Sequence, residues 1–297
     1  MKILVTGTKG QVSRCLQERA ALHEDIELVA VGRPELDLLK PDAIGAVIVA
    51  HKPDIVVSAA AYTAVDQAED EPEIAYAVNE TGAGAVAAAA AAVDAPVIHL
   101  STDYVFSGEL DRPYTEEDEP DPKSVYGASK LAGERAVAAA NDRHVILRTA
   151  WVYSPYGKNF VTTMLRLAAS RDEIVVVNDQ FGNPTSASDV ADSIIAISKA
   201  VIAANNPIHF GIFHACTNGP VSWYSLAELI FSIQNARKNR QITIVPTTSS
   251  EFRSKAMRPH NSCLDSTKLE KVYNTALPDW RSSLPIVIMS AEMSSQN

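Results

Sequence analysis

Residues 1–22 read MKILVTGTKGQVSRCLQERAAL, and the order of residue types in that stretch decides the fold. An apolar run, Ile3–Val5, leads directly into Gly7-Thr8-Lys9-Gly10-Gln11-Val12-Ser13, and a helical run follows from Arg14 to Leu22. Glycines at a strand-to-helix turn accept positive φ and let the backbone come close to a pyrophosphate. The phosphates then meet free N–H groups at the positive end of the helix. The spacing is a GxxGxxG-like form of the dinucleotide fingerprint, with Ser13 in the third glycine's place. Serine is small enough to keep the helix close to the strand. Two glycines in a turn say little alone; they gain weight by following the first strand of a βαβ pattern.

That pattern continues outward from the turn. Ile26–Val31, Ile55–Ser58, Val97–Leu100 and Val145–Arg148 are short runs of Val, Ile and Leu, the signature of strands buried on both faces of a parallel sheet. The stretches between them are long enough for crossover helices, including the nearly all-alanine segment Gly82–Val93. The fold class is therefore α/β, a doubly wound parallel sheet. The second half is less regular. Val175–Val177 and Gly211–Ala215 read as strands, and Ser188–Ala203 and Trp223–Asn235 as helices, the latter with Ser222 as its N-cap. Gln241–Asp265 mixes proline, serine and basic residues and reads as a loop-rich ligand lobe, and the tail after Pro285 is expected to fray. No linker separates the halves, so a smaller substrate-binding lobe is expected to be interleaved with the first. Residues 1–165 plus about 186–217 would form the dinucleotide-binding domain, and about 166–185 plus 218–297 the lobe.

The chain has 297 residues, 46% hydrophobic and 21% charged, with a net charge of -10 and no basic run. Nucleic-acid and membrane-surface binding normally need a basic stripe and are disfavoured. Cys15, Cys216 and Cys263 are far apart and form neither a disulfide framework nor a zinc pattern. The N-terminus lacks a signal peptide's long apolar stretch, and no apolar window of about 18 residues could span a membrane. These features point to the cytoplasm. The histidines show no metal-ligand spacing, and no metal is predicted. His99 and His214 fall in strands and read as core residues.

The second strand ends Ala30-Val31-Gly32-Arg33-Pro34. NAD sites place an acidic residue there, about 20 residues past the glycines, to hold the ribose 2′-OH. Arg33 suits a 2′-phosphate instead, which favours NADPH, while the nearby Asp37 leaves room for NADH. The fourth strand runs into Ser101-Thr102-Asp103 at the ligand-binding edge of the sheet. Tyr126 and Lys130 stand at i and i+4 at the start of a helix, on one face. A cation beside a phenol lowers its pKa, and such a tyrosine can exchange a proton with a carbonyl oxygen. The pair is common by chance; the ordered set of glycine cradle, Thr102 turn and tyrosine–lysine pair makes the catalytic reading dominant.

With these residues in view, the chain resembles the extended short-chain dehydrogenase/reductases, which carry an NAD(P)-binding Rossmann domain. Within them it looks like the dTDP-4-dehydrorhamnose reductase family. The resemblance rests on GTKGQV at the start, AAYTAVDQAE at 59–68, STDYVFSG at 101–108, VYGASKLAGE at 125–134, RTAWVY at 148–153, NDQFGNPT at 178–185 and RPHNSCLD at 258–265. It implies that Gly7, Lys9, Gly10, Gln11 and Val12 line the pyrophosphate, and that Asp37 and Leu38 sit near the adenosine. It implies that Ala59, Ala60 and Thr63 pass the nicotinamide half. Thr102, Tyr126 and Lys130 would be catalytic, with Tyr126 and Lys130 also touching the cofactor. Thr102, Asp103, Trp151 and Arg258 would meet the nucleotide sugar, Trp151 as the floor of the sugar site and Arg258 at the diphosphate. Arg253, Lys255 and Arg258 would supply the basic patch that an acidic protein needs for such a ligand. The implied reaction is NAD(P)H-dependent reduction of the C4 ketone of dTDP-4-dehydro-6-deoxy-L-mannose to dTDP-L-rhamnose. The resemblance allows for a homodimer. Some relatives hold magnesium on glutamates at a dimer interface, but Arg14, Ser188 and Asp189 stand in that neighbourhood here, and no metal is expected. The rival readings are a nucleotide-sugar epimerase or dehydratase, and a non-catalytic NADP-bound subunit resembling the regulatory subunit of methionine adenosyltransferase. Tyr104, where a dehydratase carries glutamate, argues against dehydration.

Overall fold

In the computed structural model, which describes residues 1–204, 206–238, 242–252 and 254–294, a parallel sheet forms the centre of the molecule. Its strands are β1 (Lys2–Thr6), β2 (Glu27–Val31), β3 (Ile55–Ser58), β4 (Val97–Thr102) and β5 (His144–Thr149), with β7 (Gly211–His214) at one edge; β6 (Glu173–Val177) lies elsewhere. The spatial order is β7-β5-β4-β3-β1-β2, and every neighbouring pair is parallel. The apolar runs end up here because Ile3, Val5, Ile55, Val57, Ile98, Val145 and Leu147 face one cluster of helices, while Leu4, Val56 and Val97 face the other. Alternate residues point to opposite faces, and both faces are covered. The chain order reverses between β1 and β3, and that switch point is where an open α/β sheet leaves a crevice beyond its carboxyl ends.

The main helices are α1 (Gln11–Ala20), α2 (Pro41–His51), α3 (Ala83–Ala92), α4 (Val125–Ala140), α5 (Phe160–Ala168), α6 (Ala187–Ala204), α7 (Trp223–Lys238), α8 (Thr267–Tyr273) and α9 (Trp280–Ser294). The alanine-rich segment is α3, entered through a π-helical turn at Ala77–Gly82. Its small side chains let it lie closely against both α2 and α4. Ser222 caps α7 as its sequence position suggests, its hydroxyl accepting from the Ser225 N–H at 3.1 Å.

A second apolar cluster, with Val161, Met164, Ile174, Leu226, Phe231, Trp280, Leu284 and Ile288, gathers α5, β6, α7 and α9. Two expectations fail in this region. The stretch expected to be loop-rich contains strand β8 (Thr243–Thr247), which pairs in parallel with β6. Pro246 interrupts its pattern, but a two-stranded pair has an open side on which proline costs no ladder bond. The tail after Pro285 stays helical as far as it is described: α9 runs through the proline to Ser294 and buries Leu284, Val287 and Ile288, and residues 295–297 lie outside the described residues. Burial of three branched apolar side chains, each contributing about 1.5–3 kcal/mol, offsets the hydrogen bond that proline removes. Among the described residues no helix is long and apolar enough to cross a membrane.

Candidate active site

A cavity of about 970 Å³ runs along the carboxyl edge of the sheet, from Gly7 and Arg33 at one end to Tyr126, Trp151 and Trp223 at the other. The cradle is built where β1 stops. Gly7 turns the chain with φ +89°, a value that side chains rarely accept, and its N–H donates to the Val31 carbonyl at 2.6 Å. The Ser13 hydroxyl donates back to the Gly7 carbonyl, so the serine in the third glycine's place closes the turn from inside the helix. Gly10 stands at the N-cap of α1, and no side chain caps that end. The first-turn N–H groups are thus left for an anion, as a dinucleotide pyrophosphate requires. Gln11 ties the cradle to the 154–159 loop, its Oε1 accepting from Ser154 Oγ and Asn159 Nδ2, both at 2.8 Å. Thr6 Oγ1 accepts from the Ala59 and Ala60 N–H groups at 3.0 and 3.1 Å, which fixes the loop after β3 against the cradle.

Gly7, Lys9, Gly10, Gln11, Val12, Arg33, Asp37, Leu38, Ala59, Ala60 and Thr63 all line this one cavity. Arg33 is exposed and has no ion-pair partner among the described residues, so its guanidinium is available to a phosphate. Asp37 spends one oxygen on its own turn, accepting from the Leu39 N–H at 3.1 Å.

The deeper end is assembled by α4. Ser124 caps this helix, accepting from the Gly127 N–H at 3.1 Å. A Cβ at Gly127 would run into the Tyr104 carbonyl, so only glycine lets the helix approach the turn after β4 this closely. Tyr126 is thereby brought beside Thr102 and packs edge-on against Tyr104, with ring centroids 5.6 Å apart. Thr102 Oγ1 donates to Asp103 Oδ1 at 2.9 Å. Burial raises the Asp103 carboxyl to about 6, opposed by the hydroxyls of Ser262 and Thr102. One turn below Tyr126 comes Lys130, and one further turn below is Glu134. The Glu134 carboxylate accepts from Arg148 Nε at 2.9 Å and Nη2 at 2.7 Å, and from the Ser101 hydroxyl. This buried pair pins α4 to β5 and β4, next to Thr102.

Lys130 does not acidify the tyrosine as the helical spacing suggests. Its ammonium reaches past Tyr126 to the Leu100 carbonyl at 2.6 Å. Burial drives the Tyr126 phenol upward, and only the Thr102 hydroxyl pulls it back. The phenol is therefore held protonated, which is the state a proton donor needs. Burial holds Lys130 down to about 8, with Glu134 opposing.

Two expected substrate residues have partners within the fold itself. Trp151 lines the cavity, but Trp223 stacks on one face of its indole, centroids 3.3 Å apart and planes 4° from parallel. Gly182 packs so closely on the ring that a Cβ there would collide with Cε2, Nε1 and Cζ2. Trp223 takes one face of the indole, and Trp151 borders the cavity beside it. Arg258 is not part of the cavity wall. Its Nη2 donates to Asp66 Oδ2 at 2.9 Å. Burial works to raise the Asp66 carboxyl, but the Ala256 N–H and Arg258 outweigh it and hold it below the usual range. Lys255 is likewise taken by Asp70, and Arg253 lies outside the described residues. Lys255 and Arg258 thus pair with carboxylates from the segment after β3, 185 and 192 residues away, which spacing cannot reveal.

Trp223 and Tyr104 also line the cavity and were not singled out by sequence reasoning. Tyr104 had a signal, since it directly follows the Thr102-Asp103 turn; Trp223, from the other lobe, had none. Among the described residues no cluster of three or more His, Cys, Asp or Glu side chains is arranged to hold a metal.

Comparison with known proteins agrees with this geometry. The model of a family described as the RmlD substrate binding domain matches residues 1–293. A curated dTDP-4-dehydrorhamnose reductase from Sinorhizobium fredii is 47% identical over 283 residues, 95% of each chain. The crystal structure of a dTDP-4-dehydrorhamnose reductase from Clostridium acetobutylicum superposes with a TM-score of 0.90 at 38% identity, covering 99% of this chain and 100% of the other. That of the Bacillus anthracis reductase in complex with NADP gives 0.89 at 35% identity, covering 97% and 98%.

Proposed function

The chain belongs to the RmlD substrate binding domain family, whose matched relatives are dTDP-4-dehydrorhamnose reductases, and we infer from that premise that it reduces the C4 ketone of dTDP-4-dehydro-6-deoxy-L-mannose to dTDP-L-rhamnose. It is an NADP(H)-dependent oxidoreductase. The observation that carries the reading is the protonated Tyr126 phenol beside the Thr102 hydroxyl, both opening on the cavity that the glycine cradle begins.

Gly7, Lys9, Gly10, Gln11 and Val12 would hold the cofactor's pyrophosphate, Arg33 its 2′-phosphate, Asp37 and Leu38 the adenosine, and Ala59, Ala60 and Thr63 the nicotinamide half. When bound, the nicotinamide supplies the hydride. Tyr126 gives its proton to the carbonyl oxygen as that oxygen becomes an alkoxide. Thr102 turns its hydroxyl from Asp103 to the same oxygen, so the developing charge meets two preorganised donors. Lys130 would hold the nicotinamide ribose. Asp103 and Trp151 would border the sugar. Arg258 would reach the diphosphate with the donors that Asp66 does not take.

For the division into residues 1–165 plus about 186–217 for the cofactor and about 166–185 plus 218–297 for the substrate, the separate apolar cluster of the second lobe speaks in favour, while Leu269, Tyr273 and Leu277 pack into the core of the first. A homodimer is supported by the exposed Ile286, Met289 and Met293 on one side of α9, and a monomer mass by light scattering would dismiss it. A cytoplasmic setting is supported by three buried free cysteines.

The deciding experiment is NADPH oxidation with the keto sugar generated in a coupled reaction, with NADH run alongside. A rhamnose-type product is expected. Cofactor binding without turnover would remove the assignment.

A further inference from the structure

Strand β4 sends a histidine into the dry interior beneath the catalytic helix. His99 is 1% exposed and Lys130 2%. The Lys130 ammonium lies 3.3 Å from His99 Nε2 in addition to its bond to the Leu100 carbonyl. On the other side of the ring, Nδ1 lies 3.1 Å from Ser58 Oγ at the end of β3. An ammonium carries three donors and no acceptor. A ring nitrogen facing it at this distance offers a lone pair, so the imidazole's one proton sits on Nδ1, toward Ser58. The imidazolium is excluded, because it would set N–H against N–H.

We propose that His99 is a positioning residue for the reduction: a permanently neutral imidazole whose Nε2 lone pair and the Leu100 carbonyl together take two of Lys130's three donors and leave the third for the cavity. The proposal rests on the assignment of Lys130 to the catalytic set. Ser58 is followed by Ala59 and Ala60, which line the cavity, so the chain Ser58–His99–Lys130 joins β3, β4 and α4 where the nicotinamide half would lie. Burial, with the Lys130 charge beside it, holds His99 well below the usual histidine range, so the ring stays an acceptor at every pH of interest. Of the other charged groups, Glu134 on the same helix acts on Lys130, Asp103 and Tyr104 in the turn after β4 act on its neighbour Tyr126, and the Arg148 guanidinium from β5 is engaged by Glu134. None of these presents an acceptor hydrogen-bonded to the ammonium among the described residues.

Loss of the Nε2 acceptor leaves the ammonium with one protein partner in a desolvated place. It then sheds its proton more readily and no longer points one way. His99→Leu should lower kcat about tenfold or more, the scale of a lost charge-assisted hydrogen bond. The alkaline limb of the kcat–pH profile should move to lower pH. His99→Gln, whose amide oxygen can accept from Lys130, should recover most of the rate and return the limb. Lys130→Met is measured in parallel, and unfolding midpoints are recorded for all variants; should His99→Leu fail to fold, His99→Met replaces it. An inactive Lys130→Met beside a His99→Leu enzyme of unchanged rate and profile overturns the role of His99 alone. An active Lys130→Met overturns the catalytic assignment beneath it. Equal losses in the leucine and glutamine variants with an unmoved limb would mean that the ring only fills space, which also overturns the proposal.

Discussion

Replacing Arg148 with methionine should destabilise the protein far more than replacing Arg148 and Glu134 together. The two side chains are 1% and 3% exposed, and the guanidinium meets the carboxylate through two bonds at 2.9 and 2.7 Å. Arg148→Met leaves the Glu134 carboxylate buried with the Ser101 hydroxyl as its hydrogen-bond partner and the Lys130 charge nearby. Removing one member of a buried pair costs about 3–5 kcal/mol, because the other charge stays desolvated. For a chain of this size that is on the order of 10 °C in Tm. The pair itself is worth much less, since Arg148 Nη1 donates to nothing among the described residues and part of the desolvation cost is not recovered. Arg148→Met/Glu134→Leu should therefore lie within about 2 kcal/mol of the parent. Urea unfolding followed by circular dichroism gives the four corners of the cycle. Losses that simply add, or a single variant costing under about 1 kcal/mol, would refute the reasoning. Turnover is informative as well: Glu134 sits two helical turns below Tyr126, so the single variant should lose kcat even where it stays folded, because α4 is no longer keyed to β4.

Tyr126→Phe should lose at least about a hundredfold in kcat, the scale of general acid catalysis, while NADPH affinity measured by fluorescence barely changes. Arg33→Ala should raise KM for NADPH about tenfold or more and leave KM for NADH nearly unmoved, as expected for a charge-assisted bond to the 2′-phosphate; equal effects on both cofactors would remove Arg33 from that contact. Asp103 is raised by burial from 3.8 to about 6, so the folded state binds more protons than the unfolded state between those values. Its contribution favours folding below pH 3.8 and is lost as pH rises to about 6, a change of at most about 3 kcal/mol. Asp103→Asn should therefore flatten the pH dependence of Tm across that window and gain relative to the parent at pH 7; a parallel shift at all pH values would contradict the burial.

The sequence by itself determined whatever depends on near neighbours in the chain. The apolar runs of β1 to β5, the glycine turn into α1 and the i, i+4 relation of Tyr126 and Lys130 are all local patterns, and a parallel α/β sheet brings their ends to one edge because every strand points the same way. That is why residues as distant as Gly7, Ala59, Thr102 and Tyr126 could be named before any was placed, and why they line one cavity. The strand β8 was hidden because its only partner is another edge strand and Pro246 breaks its pattern. Where a long side chain spends its charge was decided by tertiary structure alone. Arg258 turns to Asp66, Lys130 passes Tyr126 to reach Leu100 and His99, and Trp151 gives one face to Trp223. Each of these outcomes is a competition among groups that meet only after the lobes pack. Desolvation makes an unpaired charge or donor costly, so each side chain goes to the nearest partner the fold supplies.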